Sequence, residues 1–103
     1  MTDYLAVYGT LKRSSATQTD LGVGHMLRFI GPCILPGRLI DLGEYPALVE
    51  GQGRIEAELF EVLDPAVWPI LDEYEGDEFL RREIQLLDRP IHAWTYLYAK
   101  MEP

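Results

Sequence analysis

Two stretches of this chain bring together groups able to move a proton and hold an anion. Leu71-Asp72-Glu73-Tyr74-Glu75-Gly76, with Asp77 and Glu78 just beyond, crowds carboxylates around a glycine. By position alone such a cluster reads as a solvated acidic surface. Glu75 is the member that can differ, because it stands beside the glycine and an aromatic and can turn into a pocket. A carboxyl with a free pKa of ~4.3 must be raised by about two pH units to act as a base near neutrality, a change of ~3 kcal/mol. If a helix ends here, its negative terminus supplies only ~0.3–1 kcal/mol of that at an exposed site. Burial has to supply the rest.

The second stretch is Leu5-Ala6-Val7-Tyr8-Gly9-Thr10-Leu11. Apolar and aromatic residues run straight into a glycine, the pattern of a buried strand ending in a sharp turn. Gly9 permits a backbone conformation closed to other residues and close approach of a ligand. The N–H groups that follow, on Thr10, Leu11 and Lys12, can form a nest for a carboxylate or an oxyanion. An ordinary strand-to-loop turn has the same composition.

The elements that must position these groups follow from pattern. Asp64 is a good N-cap and Pro65 suits a first helical position, so a helix is expected over Pro65–Tyr74, stopped by Gly76. Val67, Ile70, Leu71 and Tyr74 form its apolar stripe. Lys12 to Gly24 reads as a long loop, and Met26 to Ile30 as a short strand before the Gly31-Pro32 break. Cys33 to Leu42 is extended with a bend at Pro36-Gly37, and Tyr45 beside Pro46 can line a pocket. Gly51-Gln52-Gly53 reads as a turn. After it, Arg54 to Leu59 alternates, with Ile55, Ala57 and Leu59 facing inward. Arg82 to Leu87 and Ala93 to Ala99 read as strands joined at Asp88-Arg89-Pro90, with Trp94, Tyr96 and Tyr98 on one face. Arg81 and Arg82 are placed to pair with the acidic helix end. Strands with one clear helix give an α+β class, its mixed or antiparallel sheet curled into a small barrel.

A chain of 103 residues makes one domain, and its formal charge of -8 disfavours nucleic acid or an anionic membrane as a partner. No signal-peptide pattern or membrane-length apolar run is present, and the single cysteine, Cys33, fits a reducing, cytoplasmic setting. His25 and His92 are far apart in sequence and in no ligand-spaced cluster, so metal-dependent hydrolysis is the weakest reading and no cofactor is expected. No Cys-His or Ser-His-Asp pattern marks a protein nucleophile.

Taken together, Val7-Tyr8-Gly9-Thr10-Leu11 and Leu71-Asp72-Glu73-Tyr74-Glu75-Gly76 resemble the γ-glutamylcyclotransferase-like family, which includes γ-glutamylamine cyclotransferases and AIG2-like proteins. Gly37 to Gly43 with Tyr45-Pro46-Ala47, and Ala57 to Val62, resemble its middle segments in the same order. The resemblance implies a small mixed β-barrel flanked by helices. It implies release of 5-oxoproline and a free amine from a small γ-glutamyl compound, with Glu75 as the acid/base. It also implies a substrate cavity lined by Tyr8, Gly9, Thr10 and Leu11, and it matches a family tyrosine to Tyr96. Two departures, Lys12-Arg13-Ser14-Ser15 after the first motif and Phe79-Leu80 before Arg81, leave the identity of the γ-glutamyl amine open. A module that binds a small carboxylate in the same cavity without turning it over is the alternative, and the sequence leaves oligomeric state open.

Overall fold

The computed structural model describes residues 2–8, 21–43 and 46–99. Among the described residues five strands form one sheet: β1 (Tyr4–Val7), β2 (Leu27–Asp41), β3 (Pro46–Val62), β4 (Phe79–Gln85) and β5 (His92–Tyr98). A 3₁₀ turn, Gly24–Met26, leads into β2, and the helix α1 spans Val67–Glu75 between β3 and β4. The strand order is β2-β3-β1-β5-β4. All neighbours pair antiparallel except β1 and β5, which run parallel with Leu5 opposite Trp94.

β1 is central, and Leu5, Ala6 and Val7 are each at most 2% exposed, as a strand covered on both faces requires. Side-chain alternation splits the core in two. Leu5, Val7, Phe60 and Tyr96 join the helix residues Val67, Trp68 and Leu71 on one face. Ala6, Leu35, Ala57, Leu59 and Leu97 pack together on the other. Trp94, Tyr96 and Tyr98 share the helix side, as their spacing predicts.

The expected barrel does not form; the sheet is open. Its first and last strands, β2 and β4, do not pair, and the gap is bridged by the turn after β4. Leu87 N donates to Ile34 O at 2.9 Å, the Asp88 carboxylate accepts from Ile34 N at 3.2 Å, and Arg89 Nη2 donates to Pro32 O at 2.7 Å. Two prolines, Pro32 and Pro36, lie in β2 and lack the N–H a continuous ladder needs. A turn clipped to a strand edge therefore stands where a barrel would have a strand pair.

β2 and β3 are longer than the sequence pattern suggests, because each runs through its expected break. The Gly31-Pro32 break is absorbed as a register shift between Phe29 and Gly31. Gly51-Gln52-Gly53 is not a turn but part of an irregularity in which residues 50–53 of β3 stand opposite Gly37 of β2. A Cβ at Gly37 would lie 2.7 Å from Val49 O, and one at Gly53 would overlap Gly37 O. Only glycine fits this crossing.

α1 starts later than expected. Ala66 is its N-cap and makes no side-chain cap, while the Asp64 carboxylate accepts from Ala66 N at 2.9 Å and closes the preceding turn. The buried stripe is Val67, Trp68 and Leu71, and Tyr74 is 41% exposed. One further turn along that stripe comes Glu75, not Tyr74.

Candidate active site

Glu75 is half-buried at the last position of α1, four residues after the fully buried Leu71. Helical spacing sets it on the face turned toward the sheet. Gly76, at φ 80°, then breaks the helix and donates to Asp72 O at 3.1 Å. The next residues leave for β4, so the Glu75 side chain stays at the seam between helix and sheet.

Burial pushes the Glu75 carboxyl up to about 7. Among the described residues no hydrogen bond or ion pair to Glu75 offsets it. Desolvation penalises the charged form and is sufficient here, without like-charge repulsion from the neighbouring acids. A group titrating there exists in both protonation states near neutrality, which suits it to take up and give back a proton.

Tyr8 follows β1 and has its hydroxyl doubly engaged: it donates to Tyr96 O at 2.6 Å and accepts from Leu48 N at 3.0 Å. Burial raises its pKa far above the ordinary phenol value, and the charge of Glu75 adds to that. Tyr96, 4% exposed on β5, donates its hydroxyl to Asp72 Oδ1 at 2.7 Å. Burial also raises its pKa, followed by the Asp72 hydrogen bond and charge, with a smaller contribution from Glu75. Both phenols thus lie within electrostatic reach of the one carboxyl.

Asp72 is held in turn by Arg81, with Nε 3.2 Å from Oδ1 and Nη2 3.3 Å from Oδ2. The guanidinium lies 4.3 Å from the Trp68 ring and 5.3 Å from the Trp94 ring, and those indoles meet edge-on at 6.1 Å. A groove of about 400 Å³ opens beside the helix end, walled by Asp72, Gly76, Arg81, Trp94 and Tyr96.

Of the residues singled out by sequence, the structure brings Tyr8, Glu75 and Tyr96 into one corner, where β1, α1 and β5 meet. Gly9, Thr10, Leu11 and Tyr45 lie outside the described residues, as do most of the Lys12 to Gly24 loop and the Lys12-Arg13-Ser14-Ser15 departure. Arg81 reaches the acidic helix end as its position suggested, whereas Arg82 is exposed. Sequence reasoning missed the link from Asp72 to Tyr96. Its signal was faint: Asp72 is one turn before Glu75, but nothing in the string places the last strand against it. Among the described residues no three His, Cys, Asp or Glu side chains are grouped to hold a metal ion. No helix there is long and apolar enough to cross a membrane.

The sequence model of the gamma-glutamyl cyclotransferase, AIG2-like family matches residues 5–103. The chain belongs to this family. Among solved structures, an AIG2-like protein from Mus musculus is similar over 99% of this chain and 80% of its own, at 23% identity and a TM-score of 0.79. YtfP from Escherichia coli is similar over 95% of this chain and 84% of its own, at 27% identity and a TM-score of 0.67. PH0828 from Pyrococcus horikoshii is similar over 98% and 81%, at 22% identity and a TM-score of 0.75. No match was found among curated proteins. The mixed, mostly β architecture of this gamma-glutamyl cyclotransferase-like chain is thus a shared fold, with Glu75 standing in its helix-to-sheet seam.

Proposed function

We propose that this protein is a cofactor-independent γ-glutamylcyclotransferase that releases 5-oxoproline and a free amine from a small γ-glutamyl compound, with Glu75 as general acid/base. The observation that carries the reading is a carboxyl on the buried stripe of α1, shielded enough to titrate near neutrality and within electrostatic reach of Tyr8 and Tyr96. Family membership supports the class of reaction.

The substrate's own α-amine is the nucleophile, so the protein need supply none. Glu75, as carboxylate, takes a proton from the α-ammonium. The freed nitrogen attacks the γ-carbonyl carbon, forming the lactam C–N bond as the carbonyl oxygen takes up negative charge. When the tetrahedral intermediate collapses, the bond to the leaving amine breaks, Glu75 returns the proton to that nitrogen, and the ring nitrogen gives up its second proton, so that the lactam keeps one N–H and the amine departs as an ammonium. No water is consumed, and Glu75 ends as it began.

Ring closure demands that the flexible γ-glutamyl chain be held folded near its attack geometry. The segment from Tyr8 through Gly9, Thr10 and Leu11 serves this role by offering N–H donors to the α-carboxylate or to the oxyanion. The groove beside Asp72 and Trp94 gives the leaving amine room to depart.

The test is incubation of the pure protein with a panel of γ-glutamyl amines and amino acids, reading 5-oxoproline and released amine together. Release in equal amounts by the wild type, lost in a folded Glu75→Gln variant, supports the reading. Turnover retained in that variant removes Glu75 from the mechanism. Binding across the panel with no product would make the domain a carboxylate-binding module instead.

A further inference from the structure

The two phenols within electrostatic reach of Glu75 have each committed their only proton elsewhere. A tyrosine hydroxyl carries one donor. That of Tyr8 goes to Tyr96 O, and that of Tyr96 goes to Asp72 Oδ1. Neither can therefore donate to a Glu75 carboxylate, although hydrogen bonds to the charged form are what ordinarily hold a carboxyl acidic. For Tyr8 the arrangement is locked by main-chain partners on both sides, Tyr96 O and Leu48 N. For Tyr96 it depends on one side chain, Asp72, which lies one helical turn before Glu75 on α1.

Asp72 would itself be a poor neighbour for a base, since a second anion at that spacing opposes ionisation. Arg81 answers this by reaching across from β4 to both Asp72 oxygens, with its guanidinium stacked on two indoles. Among the described residues, the titratable and charged groups at this corner are thus Tyr8 after β1, Asp72 on α1, Asp77 just beyond it in the wall of the groove, Arg81 on β4 and Tyr96 on β5. Glu73, on the same helix, is exposed.

We propose that Asp72 is a positioning residue for Glu75: it captures the Tyr96 hydroxyl proton and, with its own charge held by Arg81, keeps Glu75 without a phenol donor. The strength of the base is then set from the preceding turn of its own helix, by a residue that touches no reacting atom. This inference rests on Glu75 being the acid/base of the proposed reaction.

The experiment follows the Glu75 side-chain carboxyl carbon by NMR across pH, its resonance assigned by its loss in Glu75→Gln, alongside the pH profile of 5-oxoproline release. In Asp72→Ala the Tyr96 proton and the Arg81 charge are both released toward Glu75. The midpoint of Glu75 falls by about one pH unit, and the acid limb of the activity profile moves with it. In a Tyr96→Phe background the same substitution gives a smaller fall, because no phenol proton remains to be released. Arg81→Gln keeps Asp72 and both tyrosines and displaces the midpoint upward, which holds the test open if Asp72→Ala does not fold.

An unmoved midpoint in folded Asp72→Ala, or an equal fall with and without the Tyr96 hydroxyl, overturns the proposal. So does a loss of rate at every pH with an unmoved acid limb. The titration is read without turnover, so the two readings fail separately. Wild-type turnover with unmoved midpoints ends the positioning role alone. Displaced midpoints without any turnover support the positioning role and remove the reaction.

Discussion

Glu75→Gln should make the protein more stable above neutral pH, and the gain should vanish in acid. In the unfolded chain the Glu75 carboxyl ionises near its ordinary value of 4.5, whereas in the fold it keeps its proton until about 7. Below the unfolded value both states are protonated and the buried neutral carboxyl costs nothing extra. As pH rises from there the unfolded state loses its proton while the folded state holds it, so stability falls until the folded carboxyl also ionises. At ~1.4 kcal/mol per pH unit the full loss comes to ~3.5 kcal/mol, and the water that reaches a half-buried group brings the expected figure to about 2 kcal/mol. Glutamine keeps the shape without the charge. Urea unfolding of both proteins at pH 5 and pH 8, followed by tryptophan fluorescence, separates the cases. The midpoints should differ by about 1 M at the higher pH, with the variant ahead, and by only about a quarter of that at the lower, where the unfolded carboxyl has begun to ionise. Every other titrating group is common to both proteins and cancels in the difference. A gap of the same size at both pH values, or a less stable variant at pH 8, would refute the claim that desolvation holds this proton.

Other expectations follow from the same structure. The rate of 5-oxoproline release should rise through an acid limb near pH 7, where burial sets the Glu75 carboxyl, and a limb near the free carboxylate value would contradict that. Tyr8→Phe removes the acceptor of Leu48 N and the donor to Tyr96 O, and should cost about 1–3 kcal/mol by urea denaturation. Gly53→Ala drives a methyl into Gly37 O and should destabilise the protein by about 1–3 kcal/mol or more, read the same way. Asp88→Ala should speed amide exchange at Ile34 while leaving the Glu75 titration unchanged, since the clip follows the end of β4 away from Arg81 and precedes the end of β5 away from Tyr96.

What the string of residues revealed was periodicity, and what it hid was which of two compatible faces a periodicity selects. Val67 and Leu71 fit one stripe completed by Ile70 and Tyr74 and another completed by Trp68 and Glu75. Hydrophobicity favours the first, yet the sheet decides for the second, because Trp68 has Trp94 and the guanidinium of Arg81 to pack against. The same choice carries Glu75 inward. Gly51-Gln52-Gly53 failed for a related reason: glycines that would close a turn equally well admit a close crossing of two strands. The bend at Pro36-Gly37 was legible, but its partner residues 50–53 were not, because a register shift is a property of two segments together. The barrel expectation failed at the last step, where the β4–β5 turn, not a strand, meets β2. The link from Asp72 to Tyr96 joins residues 24 apart in sequence and leaves no local trace.

The clip of Leu87, Asp88 and Arg89 onto Pro32 and Ile34 makes the outer rim of β2 a covered one. Unpaired strand rims are where folded chains recruit one another. This rim is sealed in part by an exposed carboxylate and a half-buried guanidinium, whose removal would bare main-chain groups of β2 without emptying the core. A protein lacking those two side chains would therefore begin to self-associate while still folded, before any loss of helix or sheet. Solubility and fold stability are in this sense written in separate residues.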